Sequence, residues 1–243
     1  MNHNRTSGLR KLTLLTTASL CFSIPATVLA ADNSKEVARI TAAGQVLNEL
    51  ADSPSGIPIN LLNRANCVIV LPSVKKGGFI VGAEYGRGVM VCRRGPNFTG
   101  ASWSAPSMMQ SAGGSIGFQA GGEATDFVIL VMNEQGARAV MNGKAKLGAD
   151  ASIAAGPVGR DAEAATNETL SAQMLSYSRT KGVFGGVSLE GSSLGPDKDA
   201  NEAIYGKGAT PDQIIKGNTK PPAEARELLA VLTRKSPKYI GNK

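Results

Sequence analysis

Apolar positions along this chain follow two different periods. From Ser34 to Leu50, the residues Val37, Ile40, Leu47 and Leu50 recur at helical spacing, with Arg39 and Glu49 off that stripe. The pattern predicts an amphipathic helix with Asn33 at its N-cap and Glu36 three residues on. The stripe is narrow, both charge signs flank it and it has no large aromatic residue, so it predicts packing onto the domain rather than lying on a membrane. Ser53–Gly56 reads as a loop and Pro58–Arg64 as a short helix. The period then changes. Cys67–Leu71 is a continuous apolar run, the mark of a buried strand. Gly78–Tyr85 and Gly88–Arg93 read as a hairpin about Gly86-Arg87, and a further short strand closes at Trp103. Ser104 is placed to cap a short helical turn through Pro106, Met108 and Met109. Ile116–Gly122 and Phe127–Met132 read as strands, and Asn133 caps a helix to Met141. Extended structure resumes over Ala145–Ala155, and Met174–Arg179 pairs with Val183–Glu190. Asp199–Tyr205 reads as a short helix, Thr210-Pro211 opens another, and Pro221-Pro222 lead into a last one that buries Leu228, Leu229 and Leu232.

Strands in one consecutive block with helices mostly at the two ends predict an α+β fold. Its centre is a mainly antiparallel glycine-rich sheet or partial barrel, flanked by N- and C-terminal helices. The glycines concentrate where strands are expected, notably across Ser152–Gly191. Glycine weakens a strand, so its repeated presence predicts bends, bulges or close backbone approaches.

The first thirty residues change the composition. Arg5, Arg10 and Lys11 precede an apolar run, Leu12–Leu29, that is broken by hydroxyls and Pro25, and Val28-Leu29-Ala30 offers small residues to a signal peptidase. This predicts a secretory signal peptide cleaved after Ala30, and hence an exported, periplasmic protein. The formal charge falls from +7 to +4 once those three cations leave. The 213 residues that remain suffice for one domain, 31–243, with a core over about 57–206 and a C-terminal helical extension, 207–243.

The only histidine, His3, lies in that leader. A Ser-His-Asp triad, a Cys-His pair and histidine-ligated zinc are thereby excluded from the mature chain, and no cofactor or metal is expected. Cys67 and Cys92 each sit in an apolar run; they bridge in an oxidising compartment or pack as two buried thiols, and both readings stay open. Ser73-Val74-Lys75-Lys76 and Ser178-Arg179-Thr180-Lys181 match S-x-x-K, but they fall at strand ends rather than opening a helix, and no S-D-N follows. Glu84, Glu123, Asp126, Glu163 and Glu190 show no pairing that would make a glycosidase. Gly113-Gly114-Ser115-Ile116-Gly117 lacks the Gly-Lys-Ser/Thr ending of a phosphate loop. Sparse aromatics and an export signal exclude nucleic acid as a partner. Basic residues do cluster, as Lys75-Lys76, Arg93-Arg94, Lys144 to Lys146 and Arg179 to Lys181.

Several blocks together are similar to a known family. In order they are Ile57-Pro58, the ANCVIVLP run Ala65–Pro72, Gly77-Gly78-Phe79, Trp103–Ser107, Thr125–Ile129, SIAAGPVGR, SYSRTKGVFGGVSLEG, and Asp199-Ala200-Asn201 through Tyr205-Gly206. The chain resembles the SYLF domain family, described in bacteria as lipid-binding. The resemblance implies a non-enzymatic module that takes anionic phospholipid headgroups: phosphatidic acid, phosphatidylglycerol or cardiolipin. Arg and Lys beside glycines suit a phosphate, so Lys75, Lys76, Arg160, Arg179 and Lys181 are the candidate binding residues. Eukaryotic relatives are associated with phosphoinositides and actin. The export signal and the lack of an SH3 or FYVE module argue against actin for this chain. The alternative is an envelope structural or protein-interaction module.

Overall fold

Twelve-residue strands set the scale of the molecule: β1 (Cys67–Gly78) and β2 (Val81–Cys92) pair antiparallel at the centre of one sheet. The computed structural model describes Met1 and residues 33–78, 81–116, 123–143, 145–149, 152–158, 171–180, 183–186, 189 and 191–241. Among these, β3 (Ser107–Ile116), β4 (Glu123–Val131), β5 (Ala145–Lys146), β6 (Ile153–Ala155), β7 (Met174–Thr180), β8 (Val183–Gly186) and β9 (Ser192–Pro196) complete the sheet. The order is β5-β9-β3-β2-β1-β4-β7-β6, with β8 pairing β7 alone. Only β6–β7 is parallel. The path does not close, so the sheet is an open, curled half-barrel with helices at both ends of the chain: an α+β fold.

Both faces of the sheet are covered, which is why Cys67–Leu71 reads as an unbroken apolar run rather than an alternation. Val68, Val70, Val89, Val128, Leu130 and Leu175 turn to one side. There they meet Ile40, Leu47 and Leu50 of α1 (Ser34–Asp52), and Leu228, Val231 and Leu232 of the last helix (Arg226–Lys235). Ile69, Leu71, Met90, Phe127, Ile129 and Met174 turn to the other side, against Ala137 and Val140 of a helix over Glu134–Met141. In chain order the remaining helices are α2 (Ile59–Arg64), α3 (Glu134–Met141), α4 (Lys198–Tyr205), α5 (Pro211–Lys216) and α6 (Arg226–Lys235). Asn133 caps α3 by accepting from the Gly136 N–H, and Thr210 with Gln213 forms a reciprocal capping box on α5. Asn33 precedes α1 as expected, but its side chain makes no capping hydrogen bond.

Two expectations are corrected. Gly86-Arg87 is no turn: β2 runs straight through it, and the hairpin is β1 with β2. The glycines serve close approach to β1 instead. A Cβ on Gly88 would lie 1.8 Å from the Val70 carbonyl oxygen, and one on Gly86 would lie 2.6 Å from Val74 Cγ2. The helical turn expected after Ser104 is strand β3, because Met108 and Met109 fill opposite cores. In Ile116–Gly122, β3 has already reached its last residue at Ile116, and residues 117–122 lie outside the described residues. β9 has one apolar residue, Leu194, among Ser, Gly and Pro, too little for a sequence pattern to find it.

Cys67 and Cys92 are register partners across β1 and β2 and form a disulfide, with Cα atoms 3.9 Å apart. Two of the sequence blocks also meet in space. β9 reaches β3 only as far as Met109↔Pro196, so the first residues of β3 have no strand beside them on that side. Buried Asn201 of α4 fills the gap: its Oδ1 accepts from the Met108 N–H at 2.8 Å and its Nδ2 donates to the Met108 carbonyl at 3.0 Å. Tyr205 Oη donates to the Pro106 carbonyl at 2.5 Å. The side-chain amide stands in for a peptide group, which accounts for Asn rather than another residue there.

Candidate functional site

The placement of the basic residues depends on a bulge. Val70 pairs with Val89 and Lys75 with Tyr85, so β1 spends one residue more than β2 between those pairs. Pro72 contributes no N–H, and Ser73 adopts φ 54° with its N–H bonded to Asp126 Oδ1 at 2.8 Å. The extra residue turns Val74 into the core beneath α3, and the ordinary alternation of the strand then sends Lys75 to the α1 face and Lys76 to the other.

The three candidate cations within the described residues therefore meet different fates. Lys76 Nζ lies 3.1 Å from Glu84 Oε2, whose side chain is only 6% exposed, and 5.3 Å from the centroid of the Phe127 ring. Arg179 extends beneath α1, pairing with Asp126 of β4 through its Nη2 at 2.5 Å and with Glu49 of α1. Both are neutralised and join elements of the fold. Lys75 is exposed, and no carboxylate pairs with it among the described residues. Its register partner is Tyr85, itself 43% exposed, which accepts a hydrogen bond from Arg87. That bond raises the Arg87 guanidinium above its ordinary value, ahead of the contribution from Asp197 beside it. Lys75, Tyr85 and Arg87 thus form one exposed row across β1 and β2. Arg160 and Lys181 lie outside the described residues.

The other chemistry weighed in the sequence does not assemble. Glu84 and Asp126 are engaged by Lys76 and Arg179, on opposite faces; Glu163 and Glu190 lie outside the described residues. Ser73 sits in the bulge and Lys76 on Glu84, so the first S-x-x-K holds no serine-lysine pair; Lys181 removes the second from view. Gly113–Ile116 is plain strand. A cleft of about 770 Å³ between β9 and α5 includes Glu202 and Asp212. The first accepts the Gly208 N–H and the second pairs with Lys216. Among the described residues, no three His, Cys, Asp or Glu are placed to hold a metal, and no helix is long and apolar enough to cross a membrane.

Two buried groups escaped the sequence reading. Tyr177 lies in the α1-facing core, where burial raises its phenol above the ordinary value; Gly156 is required there, since a Cβ would sit 2.2 Å from the ring. Arg93, the first residue after β2, is completely buried without a carboxylate. Its guanidinium donates to the Ala65, Gly100 and Lys238 carbonyls and to Ser236 Oγ, and stacks 4.4 Å from the Trp103 ring centroid. Burial draws its pKa down from the ordinary arginine value to about 10. The Arg93-Arg94 doublet was visible in the sequence; that one of its cations is buried was not.

Comparison with known proteins bears on the same residues. Residues 112–235 match the family model Ysc84, described as "Las17-binding protein actin regulator". The chain is 35% identical to Protein YSC84 of Saccharomyces cerevisiae over 202 residues, covering 82% of this chain and 42% of the relative. It is 34% identical over 209 residues to LAS seventeen-binding protein 3 of the same yeast, with 85% and 44% covered. It is 34% identical over 204 residues to the human SH3 domain-containing YSC84-like protein 1, with 81% and 58% covered. The chain thus spans about half the length of the curated relatives it matches. No solved structure matches it.

Proposed function

The chain belongs to the Ysc84, or SYLF, family, and from that premise we propose that it is a non-enzymatic docking protein of the cell envelope, exported and periplasmic, that binds anionic phospholipid surfaces through the Lys75 end of its sheet. The relatives are named as binding or regulatory proteins, which supports the non-enzymatic reading. The observation that carries the lipid reading is the exposed row of Lys75, Tyr85 and Arg87. An ammonium without a carboxylate partner, beside a half-exposed phenol ring, suits an anionic interface: the ring settles among headgroups while the cation meets phosphate. Lys76 and Arg179 are taken up by ion pairs on the two faces of the sheet, and direct lipid contact falls to Lys75. The Cys67–Cys92 disulfide supports an oxidising compartment, in keeping with the leader in residues 1–30. An exported chain would not meet actin.

The test is co-flotation of the purified protein with vesicles of phosphatidylcholine alone or with phosphatidylglycerol, at two salt concentrations. Binding should require the anionic lipid, weaken with salt and fall in Lys75→Glu. Flotation that fails equally with both vesicles would refute the proposal. A second reading rests on the relatives named for binding Las17: a protein partner in the envelope. It predicts a discrete cross-linked product and no salt-sensitive flotation.

A further inference from the structure

At the opposite end of β2 from Tyr85, eight residues and about 26 Å along the strand, lies a second concentration of positive charge. A cavity of about 490 Å³ opens there, with Phe98 and Ile215 as apolar floor and Arg93, Arg94, Arg138 and Lys216 around it. These cations come from three separate parts of the chain: the segment after β2, α3 and α5. Arg93 is committed to carbonyls, as described. Arg94 donates through Nε to the Trp103 carbonyl at 3.1 Å and through Nη1 to Asn218 Oδ1 at 3.2 Å; no carboxylate pairs with it among the described residues. Two acids lie nearby, each one helical turn from its partner: Glu134 on Arg138 and Asp212 on Lys216. Such exposed pairs contribute little and reorient at little cost. Four cations against two carboxylates leave the cavity electropositive.

The loop beneath it is held in an uncommon shape. Asn97 and Phe98 both have positive φ, 54° and 59°. Buried Asn66 keeps them there, its Nδ2 donating to both of their carbonyls at 2.9 and 3.2 Å. Consecutive left-handed residues other than glycine persist only where surroundings impose them, and they concentrate at binding sites. Here they lay the Phe98 ring under the cations, with Lys216 Nζ 5.9 Å from its centroid.

We propose that this cavity binds a phosphomonoester: the dianionic phosphate between Arg94, Arg138 and Lys216, its organic remainder over Phe98 and Ile215. Guanidinium groups converging from different segments match a tetrahedral oxyanion better than a planar carboxylate, which one Arg fork satisfies. Two sources share this chemistry, a soluble ester and a phosphatidic acid headgroup, and the two arms of the test separate them. The site shares no residue with the Lys75 row and does not rest on the docking function.

Calorimetric titration of the purified protein with phenyl phosphate tests it, with vesicles of phosphatidylcholine containing phosphatidic acid as the second arm. Arg94→Ala should weaken phenyl phosphate by about tenfold or more, the loss of charge-assisted hydrogen bonds. Glu134→Gln should tighten it, because it removes a competing acid; a merely structural role for Glu134 would not do so. Lys75→Glu should leave it unchanged, which separates this site from the docking row. Competition by the vesicles assigns the phosphate to a lipid, and its absence assigns it to a soluble ester. The proposal is overturned if neither probe binds saturably, or if binding is indifferent to both Arg94→Ala and Glu134→Gln in variants that melt like the parent protein.

Discussion

Reducing the Cys67–Cys92 bridge is the cleanest test of how the centre of the sheet is held. The two residues are 25 positions apart, and a cross-link closing a loop of that length removes about 3.5 kcal/mol of chain entropy from the unfolded state at 25 °C. Both sulfurs are fully buried between apolar side chains, so the reduced thiols keep their packing and only the covalent constraint is lost. The same burial keeps reductant out of the folded protein. The reduced form is therefore prepared by refolding from denaturant with a phosphine present, and thiol labelling in denaturant confirms its state. Urea unfolding should give a stability lower by about 3.5 kcal/mol, and the thermal midpoint should fall by about 7–14 °C for a domain of this size. A loss below about 1 kcal/mol with an unchanged denaturant slope would refute the loop-entropy reasoning. A protein recovered from an oxidising compartment with both thiols free would refute the bridge itself.

Two substitutions separate structural from functional roles. Asn201→Ala removes the only partner shown for the Met108 N–H, whereas the Met108 carbonyl keeps the Asp197 N–H at 3.0 Å. The buried Met108 N–H and the buried Ser107 hydroxyl both lose Asn201 Oδ1 as acceptor, and urea melts should show a loss of about 2–3 kcal/mol; a loss below about 1 would mean that another group takes over. Arg179→Met breaks the link from α1 to β4, so stability should fall by about 1–2 kcal/mol while vesicle flotation stays at the parent level; the opposite result would make Arg179 a lipid contact.

The order and type of elements were legible wherever apolar residues carry a period: α1, the Cys67–Leu71 run, β4, α3 and the last helix. What failed depended on partners distant in sequence. Gly86 and Gly88 look like turn residues until Val70 and Val74 are seen pressing against them. Met108 and Met109, read after Pro106, suit one helical turn as well as a strand; only two cores on opposite faces decide between them. The candidate site was legible in residue type but not in geometry. Lys75 and Lys76 are indistinguishable in sequence, and the bulge at Pro72-Ser73 sets which of them goes to solvent and which to Glu84. The Arg93-Arg94 doublet carried no signal that its first cation is enclosed by residues near 65, 100 and 236.

The helix that begins the described domain and the helix that nearly ends it share one core: Ile40, Leu47 and Leu50 against Leu228 and Leu232. Arg93, too, is satisfied only when Ser236 and Lys238 arrive. During synthesis, neither the α1-facing core nor the shell around that guanidinium can close until residues 226–238 have been made. Such contacts of long sequence separation make folding slow and late. Residues 226–238 thus act as a latch: until they dock, the α1-facing core stays open and the Arg93 guanidinium lacks part of its shell.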